Sequence, residues 1–283
     1  MSRRFRLMRE ARRLVRLLRL IMHVGNGVLL AYAGFAVLAA AGLDSHHTRR
    51  RSIVRWWMRR LLRIINVRVH VQGEPPAVCA LFVLNHISWL DIPVVLSVLD
   101  ACFVSKQEVR DWPVIGGLAA RAGTIFLARG ERHTLTHAAD HMTWALHQGR
   151  AVAIFPEGTT TDGSCVLRFH ARLYQAAIRT RTLVQAVALH YPSGTIGVSA
   201  TADHQPSTDT HPAAPFVGEM SLARHLWALL GERELTAGLF FCKPLAASQD
   251  RRGLADTTRQ QVVNALGFAA SEAAPRQDQF TAR

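Results

Sequence analysis

The sequence predicts an α/β fold, a β-sheet flanked by helices, preceded by an N-terminal helical segment that associates with a membrane. Three observations carry this. Short apolar runs of strand length alternate with helix-period segments beyond residue 66. A stretch without a formal charge, Leu20–Leu43, precedes them, and the net charge of +14 is confined to the first quarter of the chain. Residues 1–70 hold sixteen Arg against Glu10 and Asp44, whereas basic and acidic residues balance over 71–283.

The elements follow in order. As a helix, Leu20–Leu43 would be roughly 36 Å long, enough for the ~30 Å hydrocarbon core, although His23, Gly25, Asn26 and Gly27 interrupt its first turns. Basic runs flank it on both sides, so the charge asymmetry of a simple span is missing; a segment that dips into one leaflet and returns, or a true span, both fit. A cleaved signal peptide is not expected, because the basic region before the apolar part is long and more basic sequence follows. Next comes a basic amphipathic helix at 49–66, with Arg51, Arg55, Arg59 and Arg63 every fourth residue and Trp57, Met58 and Leu62 among its apolar positions. Such a helix suits an anionic lipid surface; an ordinary solvated helix face and nucleic-acid binding are the other readings of the same pattern. VRVHVQ (67–72), ALFVLN (80–85), TIFLAR (124–129), AVAIF (151–155) and LVQAVALHY (183–191) read as strands. Helical patterns occupy about 89–100, 108–121, 132–148, 166–180, 221–231 and 251–266, and 201–215 is a polar, Pro-bearing loop. The domain boundaries expected are 1–48, 49–66, 67–267 for the catalytic unit, and a tail at 268–283.

Composition excludes several classes. With 49% hydrophobic and 19% charged residues the chain is not disordered, and it lacks the repeated apolar runs of a polytopic membrane protein. Cys79, Cys102, Cys165 and Cys242 show no metal or redox spacing and read as reduced thiols. There is no G-x-S-x-G, phosphate-loop lysine motif, H-E-x-x-H or dinucleotide fingerprint.

The chemistry-bearing residues sit where strands end. The strand 80–85 runs into His86, with Asp91 five residues on in the first turn of the next helix. A carboxylate holding one imidazole nitrogen leaves the other as a base for a hydroxyl nucleophile; helix capping is the plainer reading of the same pair. The strand 151–155 runs into Pro156-Glu157-Gly158-Thr159-Thr160, where backbone N–H groups and threonine hydroxyls can surround an anion, or form an ordinary turn. Arg129 ends the strand between them and can grip a phosphate with two parallel hydrogen bonds. Lys106 is one of only two lysines, in a chain that otherwise uses Arg for positive charge.

NHISWLD (85–91), SKQEV (105–109) with WPVIGGLAARAG (112–123), TIFLAR (124–129), FPEGTTTDG (155–163) and VQAVALHY (184–191) together resemble the glycerolipid acyltransferase family, specifically the bacterial 1-acylglycerol-3-phosphate O-acyltransferases. The resemblance covers roughly residues 60–265. It implies a mixed sheet flanked by helices and transfer of an acyl group from acyl-CoA or acyl carrier protein to the sn-2 hydroxyl of 1-acylglycerol 3-phosphate, giving phosphatidate. By it His86 is the base and Asp91 its orienting partner. Arg129, Glu157, Gly158 and Thr159 form the acceptor-phosphate site, with Lys106 and Thr160 as further substrate contacts. No metal and no cofactor are implied. The expected partners are an anionic membrane lipid surface, the acyl donor and a lysophospholipid, with no nucleic acid, and the expected location is the cytoplasmic face of the inner membrane. Two segments depart from the family pattern. Phe169-His170-Ala171-Arg172 stands where Phe-Lys-x-Gly is frequent, and Val184-Gln185-Ala186-Val187 lacks the family's proline. Another lysolipid acceptor, such as a lyso-ornithine lipid, is therefore the rival within the class; a catalytically silent lipid- or nucleic-acid-binding module is the rival outside it.

Overall fold

The structure is a computed structural model that describes residues 3–40, 47–127, 134–193, 209–248 and 250–268. Arg129 and most of the 201–215 loop lie outside the described residues.

A seven-stranded sheet forms the centre, built from β1 (Val67–Gln72), β2 (Ala80–Leu84), β3 (Ala101–Lys106), β4 (Ile125–Leu127), β5 (Ala151–Ile154), β6 (Leu183–His190) and β7 (Leu235–Phe241). Its order is β1-β7-β6-β2-β5-β3-β4. The pairings β2–β5, β2–β6, β3–β5, β3–β4 and β1–β7 are parallel, and β6–β7 is antiparallel. The sheet is therefore mixed, as the resemblance implied.

Side chains alternate across a strand, so β2, buried along its whole length, feeds two cores. Ala80, Phe82 and Leu84 face one core with Val94, Val95, Leu230 and Leu239. Leu81 and Val83 face the other with Met142, Tyr174, Val184 and Val262. Helices α3 (His47–Ile65), α4 (Asp91–Val98) and α9 (Leu222–Gly231) serve the first core; α7 (Thr134–His147), α8 (Gln175–Thr180) and α10 (Arg251–Ala265) serve the second.

Three local readings are corrected. The helix expected at 108–121 divides into α5 (Gln107–Arg110) and α6 (Ile115–Arg121). Pro113 intervenes and Val114 adopts φ 66°, outside the helical region. The helix expected at 166–180 begins only as a 3₁₀ turn at Ala171–Tyr174 followed by α8, because 165–170 is drawn into the site. Strands β3 and β7 were not foreseen. β3 follows α4 after two residues, and β7 carries Gly238, which weakens a strand pattern.

The N-terminal segment is helical from its start rather than from Leu20: α1 (Arg3–Leu29) runs through a π-turn at Leu30–Gly34 into α2 (Phe35–Ala40). Among the described residues, one helix, Arg6–Gly34, is long and apolar enough to cross a membrane. Three of its arginines, Arg9, Arg12 and Arg16, face the protein. Arg12 donates to the Gly231 carbonyl, Arg16 to those of Leu230, Glu232 and Arg233, and Arg9 pairs with Glu232 at 3.1 Å. The cluster sits on the C-terminal end of α9, where unsatisfied carbonyls and the helix dipole favour cations. The opposite face is apolar and open: Leu14, Leu18 and Ile21 are each 60% exposed, with Leu7, Met22 and Leu29 along the same side.

The helix expected at 49–66 forms as α3 and packs against the sheet's first core. Leu62 and Ile65 enter the core, Arg59 Nε donates to the Ser97 carbonyl at the end of α4, and Arg51 pairs with Asp100. Trp57 stacks on His23 of α1 at 4.3 Å, whereas Trp56 remains exposed.

Candidate active site

Strands β2, β5 and β6 are parallel, so the segments that follow their C-terminal ends, 85–91, 155–163 and 191–193, emerge on one edge of the sheet. This is where open α/β sheets present ligand sites, because loops there are released from the ladder while their starting points stay rigid.

His86 leaves β2 and meets Asp91 at the start of α4: Nδ1 lies 2.7 Å from Asp91 Oδ2. Asp91 is fully buried, and its charge is matched by donors on all sides. Oδ2 also accepts from the backbone N–H of Ile87 at 2.7 Å and Ser88 at 3.0 Å, and Oδ1 accepts from the Tyr191 hydroxyl at 2.7 Å. An ionised carboxylate can only accept, so Nδ1 carries the proton and Nε2 is the acceptor nitrogen. The imidazole stacks on Phe155 at 3.9 Å with an interplanar angle of 8°, and Phe155 rests on Phe103. Ring plane and tautomer are thus both set, and the side chain keeps 18% exposure on the open side.

The 155–163 loop is bound to the same residue through the backbone. Glu157 Oε1 accepts from His86 N at 2.7 Å, Oε2 accepts from Leu167 N at 2.8 Å, and the His86 carbonyl accepts from Thr161 N at 2.8 Å. This corrects the expected role of Glu157. Its carboxylate is wholly buried and engaged on both oxygens, so it positions the loop against His86 rather than touching an acceptor phosphate. Burial pushes its pKa up to about 8, against the pull of the two N–H donors and of Arg259.

Thr160 is corrected in the same sense, since its hydroxyl donates to the Phe216 carbonyl at 2.6 Å. Gly158 is exposed at the rim with φ 74°, a backbone conformation that a side chain would strain. A Cβ there would lie 3.5 Å from the His170 ring. Thr159 lies half-buried beside it, and Lys106 stands exposed at the C-terminal end of β3, on the same edge of the sheet. Arg129 lies outside the described residues.

Sequence reasoning missed Tyr191, Asn85 and Phe155. Asn85 clamps β2 to β6 by donating to the Leu189 carbonyl and accepting from Leu189 N, both at 2.8 Å. Each of the three lies within a quoted strand-end motif, which is the signal that could have marked it. Tyr191→Phe leaves Asp91 Oδ1 without its donor in a fully buried site. It should lower stability by about 1–3 kcal/mol and reduce kcat with little change in KM; unfolding curves and steady-state kinetics check both.

The acyltransferase family pattern matches residues 66–190, the stretch that carries His86, Asp91, Phe155 and Glu157 and ends one residue before Tyr191. A lyso-ornithine lipid O-acyltransferase of Pseudomonas aeruginosa is 36% identical over 260 residues, 92% of this chain and 95% of the relative. The chain belongs to the acyltransferase family. A 1-acyl-sn-glycerol-3-phosphate acyltransferase of Neisseria gonorrhoeae is 33% identical over 180 residues, 63% of this chain and 66% of the relative. Among solved structures, the 1-acyl-sn-glycerophosphate acyltransferase PlsC of Thermotoga maritima superposes with a TM-score of 0.57 at 18% identity, over 92% of this acyltransferase and 100% of that chain, a likeness of fold.

Proposed function

We propose that this acyltransferase moves a fatty acyl group from acyl-CoA or acyl carrier protein to the hydroxyl of a lyso-ornithine lipid at the cytoplasmic face of the inner membrane. The observation that carries the acceptor is the extent of similarity. The lyso-ornithine relative from Pseudomonas matches through nearly the whole of both chains, whereas the glycerol-phosphate relative matches 180 residues. This reverses the order of the two acceptors given by the sequence reading. His170 supports the change: it stands where the family pattern often has lysine, and its ring lies against Gly158, so the rim carries an imidazole in place of a lysine ammonium. An ornithine head group brings a carboxylate and an ammonium rather than a dianionic phosphate.

The chemistry needs few groups. Nε2 of His86 accepts the hydroxyl proton as the oxygen attacks the thioester carbonyl; the C–O bond forms, the C–S bond breaks, and the imidazolium returns the proton to the departing thiolate. Asp91 stabilises the imidazolium and is itself held by Tyr191 and two backbone amides. The open apolar face of α1 supports membrane attachment, which keeps the enzyme beside a lipid acceptor.

Acylation of 1-acylglycerol 3-phosphate is the second reading, favoured by the Neisseria relative. The purified enzyme should turn over lyso-ornithine lipid with the higher kcat/KM of the two acceptors. His170→Lys should shift the ratio toward the phosphate acceptor by about tenfold, the size of one charge-assisted contact. A wild-type preference for lysophosphatidate, unmoved by His170→Lys, would install the second reading.

A further inference from the structure

A second polar site lies at the other edge of the sheet. There a cavity of about 150 Å³ opens between α3, the end of α4, the start of β3, the end of α6 and the residue preceding β5. His86 and the 155–163 loop follow the C-terminal ends of β2 and β5, whereas Ala101 and Arg150 lie at the N-terminal ends of β3 and β5. The length of a strand, roughly 13–17 Å at about 3.3 Å per residue, separates the two edges.

Four arginines line the cavity, Arg51, Arg55, Arg121 and Arg150, and among the described residues Asp100 is its one acidic lining group. Arg51 takes Asp100 as partner at 3.2 Å. Arg121 and Arg150 meet neutral groups. Arg121 Nε donates to the Ala31 carbonyl at 3.1 Å, with its guanidinium 3.5 Å over the Tyr32 ring, and Arg150 Nη2 donates to Cys102 Sγ at 2.7 Å. The Nε atoms of Arg55 and Arg150 are buried with no hydrogen-bond partner among the described residues. Gly123, at φ 90°, leaves room for Arg150, since a Cβ there would fall 2.5 Å from Nη2. Three positive charges in excess thus converge on a half-buried recess. Such an arrangement is unfavourable by itself and is relieved by a multivalent anion.

We propose that this cavity binds a phosphate group. Guanidinium forks match phosphate oxygens two at a time, and one monovalent carboxylate would leave most of the charge uncompensated. The group can come from the head of an anionic phospholipid or from a free phosphate. Geometry admits the lipid source, because Ala31 and Tyr32 belong to the π-turn that continues the apolar face of α1, so a head group beside that helix lies next to Arg121.

The test uses the full-length protein in neutral detergent and does not read activity, so it stands or falls apart from the acceptor assignment. Inorganic phosphate, against chloride at equal ionic strength, should raise the thermal midpoint of the wild type by about 5–10 °C at a hundredfold excess over its dissociation constant. Arg55→Gln/Arg150→Gln should abolish that rise; Arg55→Gln alone, should the double variant fail to fold, should reduce it. In flotation, vesicles of phosphatidylcholine with phosphatidylglycerol should retain the wild type better than the variant, and phosphate should compete, if a lipid head group is the occupant. A thermal response with no vesicle difference supports a free phosphate. Equal phosphate responses in wild type and variants, or none in the wild type, overturn the site.

Discussion

Replacing His86 with alanine is expected to lower kcat by about 10²- to 10⁴-fold while leaving KM for the lysolipid and the unfolding midpoint nearly unchanged. The argument rests on where the bonds of this residue go. Its backbone N–H and carbonyl join Glu157 and Thr161, and alanine keeps both. Only the imidazole is lost, and with it the Nδ1 contact to Asp91 and the stack on Phe155. Asp91 retains Ile87 N–H, Ser88 N–H and the Tyr191 hydroxyl, so no buried charge is left bare. The base acts in the transition state, which places the loss on kcat. Asp91→Asn should cost much of the same rate, since its amide oxygen is held in the Oδ2 position by the Ile87 and Ser88 N–H groups and, being uncharged, no longer stabilises the imidazolium. Thiol release from acyl-CoA in the presence of lysolipid measures both variants. A kcat for His86→Ala within a few-fold of wild type would remove His86 from the mechanism.

The largest structural effect is expected at Glu157. Glu157→Ala deprives His86 N–H and Leu167 N–H of their acceptors in the interior, at about 1–3 kcal/mol for each, and frees the loop that carries Gly158 and Thr159. Stability and activity should therefore fall together, unlike in His86→Ala. Glu157→Gln keeps one acceptor and turns an NH₂ toward the other donor, so its cost lies between. The pH dependence separates charge from shape. Burial raises the Glu157 carboxyl to about 8 from the ordinary 4.5, so between those values the unfolded chain holds fewer protons there than the folded one. Its contribution to stability accordingly falls as pH rises through that window. Glu157→Gln should flatten this component of the stability–pH curve, read from urea unfolding at a series of pH values. An unchanged slope would mean that Glu157 stays ionised in the fold, held by its two amide donors.

Much of this site was legible because its chemistry is local. His86 and Asp91 are five residues apart across a strand-to-helix turn, so their meeting follows from chain geometry. The same holds for the turn at Gly158, whose left-handed backbone selects glycine. Glu157 was read as facing the acceptor because an acid in an exposed-looking turn gives no sign of which way it points. Its burial depends on Leu167 and on a neighbouring strand 71 residues away. Tyr191 escaped notice for the same reason: its partner lies 100 residues earlier, and a tyrosine closing an apolar strand reads as core.

The N-terminal quarter shows the same division. By itself the sequence determined that α3 is a helix with an arginine side and an apolar side, that an apolar segment from Leu20 follows a basic run, that strands and helices alternate beyond residue 66, and that a His–Asp pair stands at a strand end. The tertiary structure decided which surface each side meets. Arg12 and Arg16 of α1 turn inward onto the carbonyl end of α9 and the apolar side is left open, the reverse of a soluble helix, while Arg59 of α3 meets the end of α4 and Arg51 and Arg55 line the cavity. Periodicity records that a helix has two unlike faces, because side-chain direction repeats every 3.6 residues. It cannot record the partner, because the carbonyls that attract Arg12 and Arg16 are backbone groups more than 200 residues away, present on every residue and exposed only where the fold ends a helix.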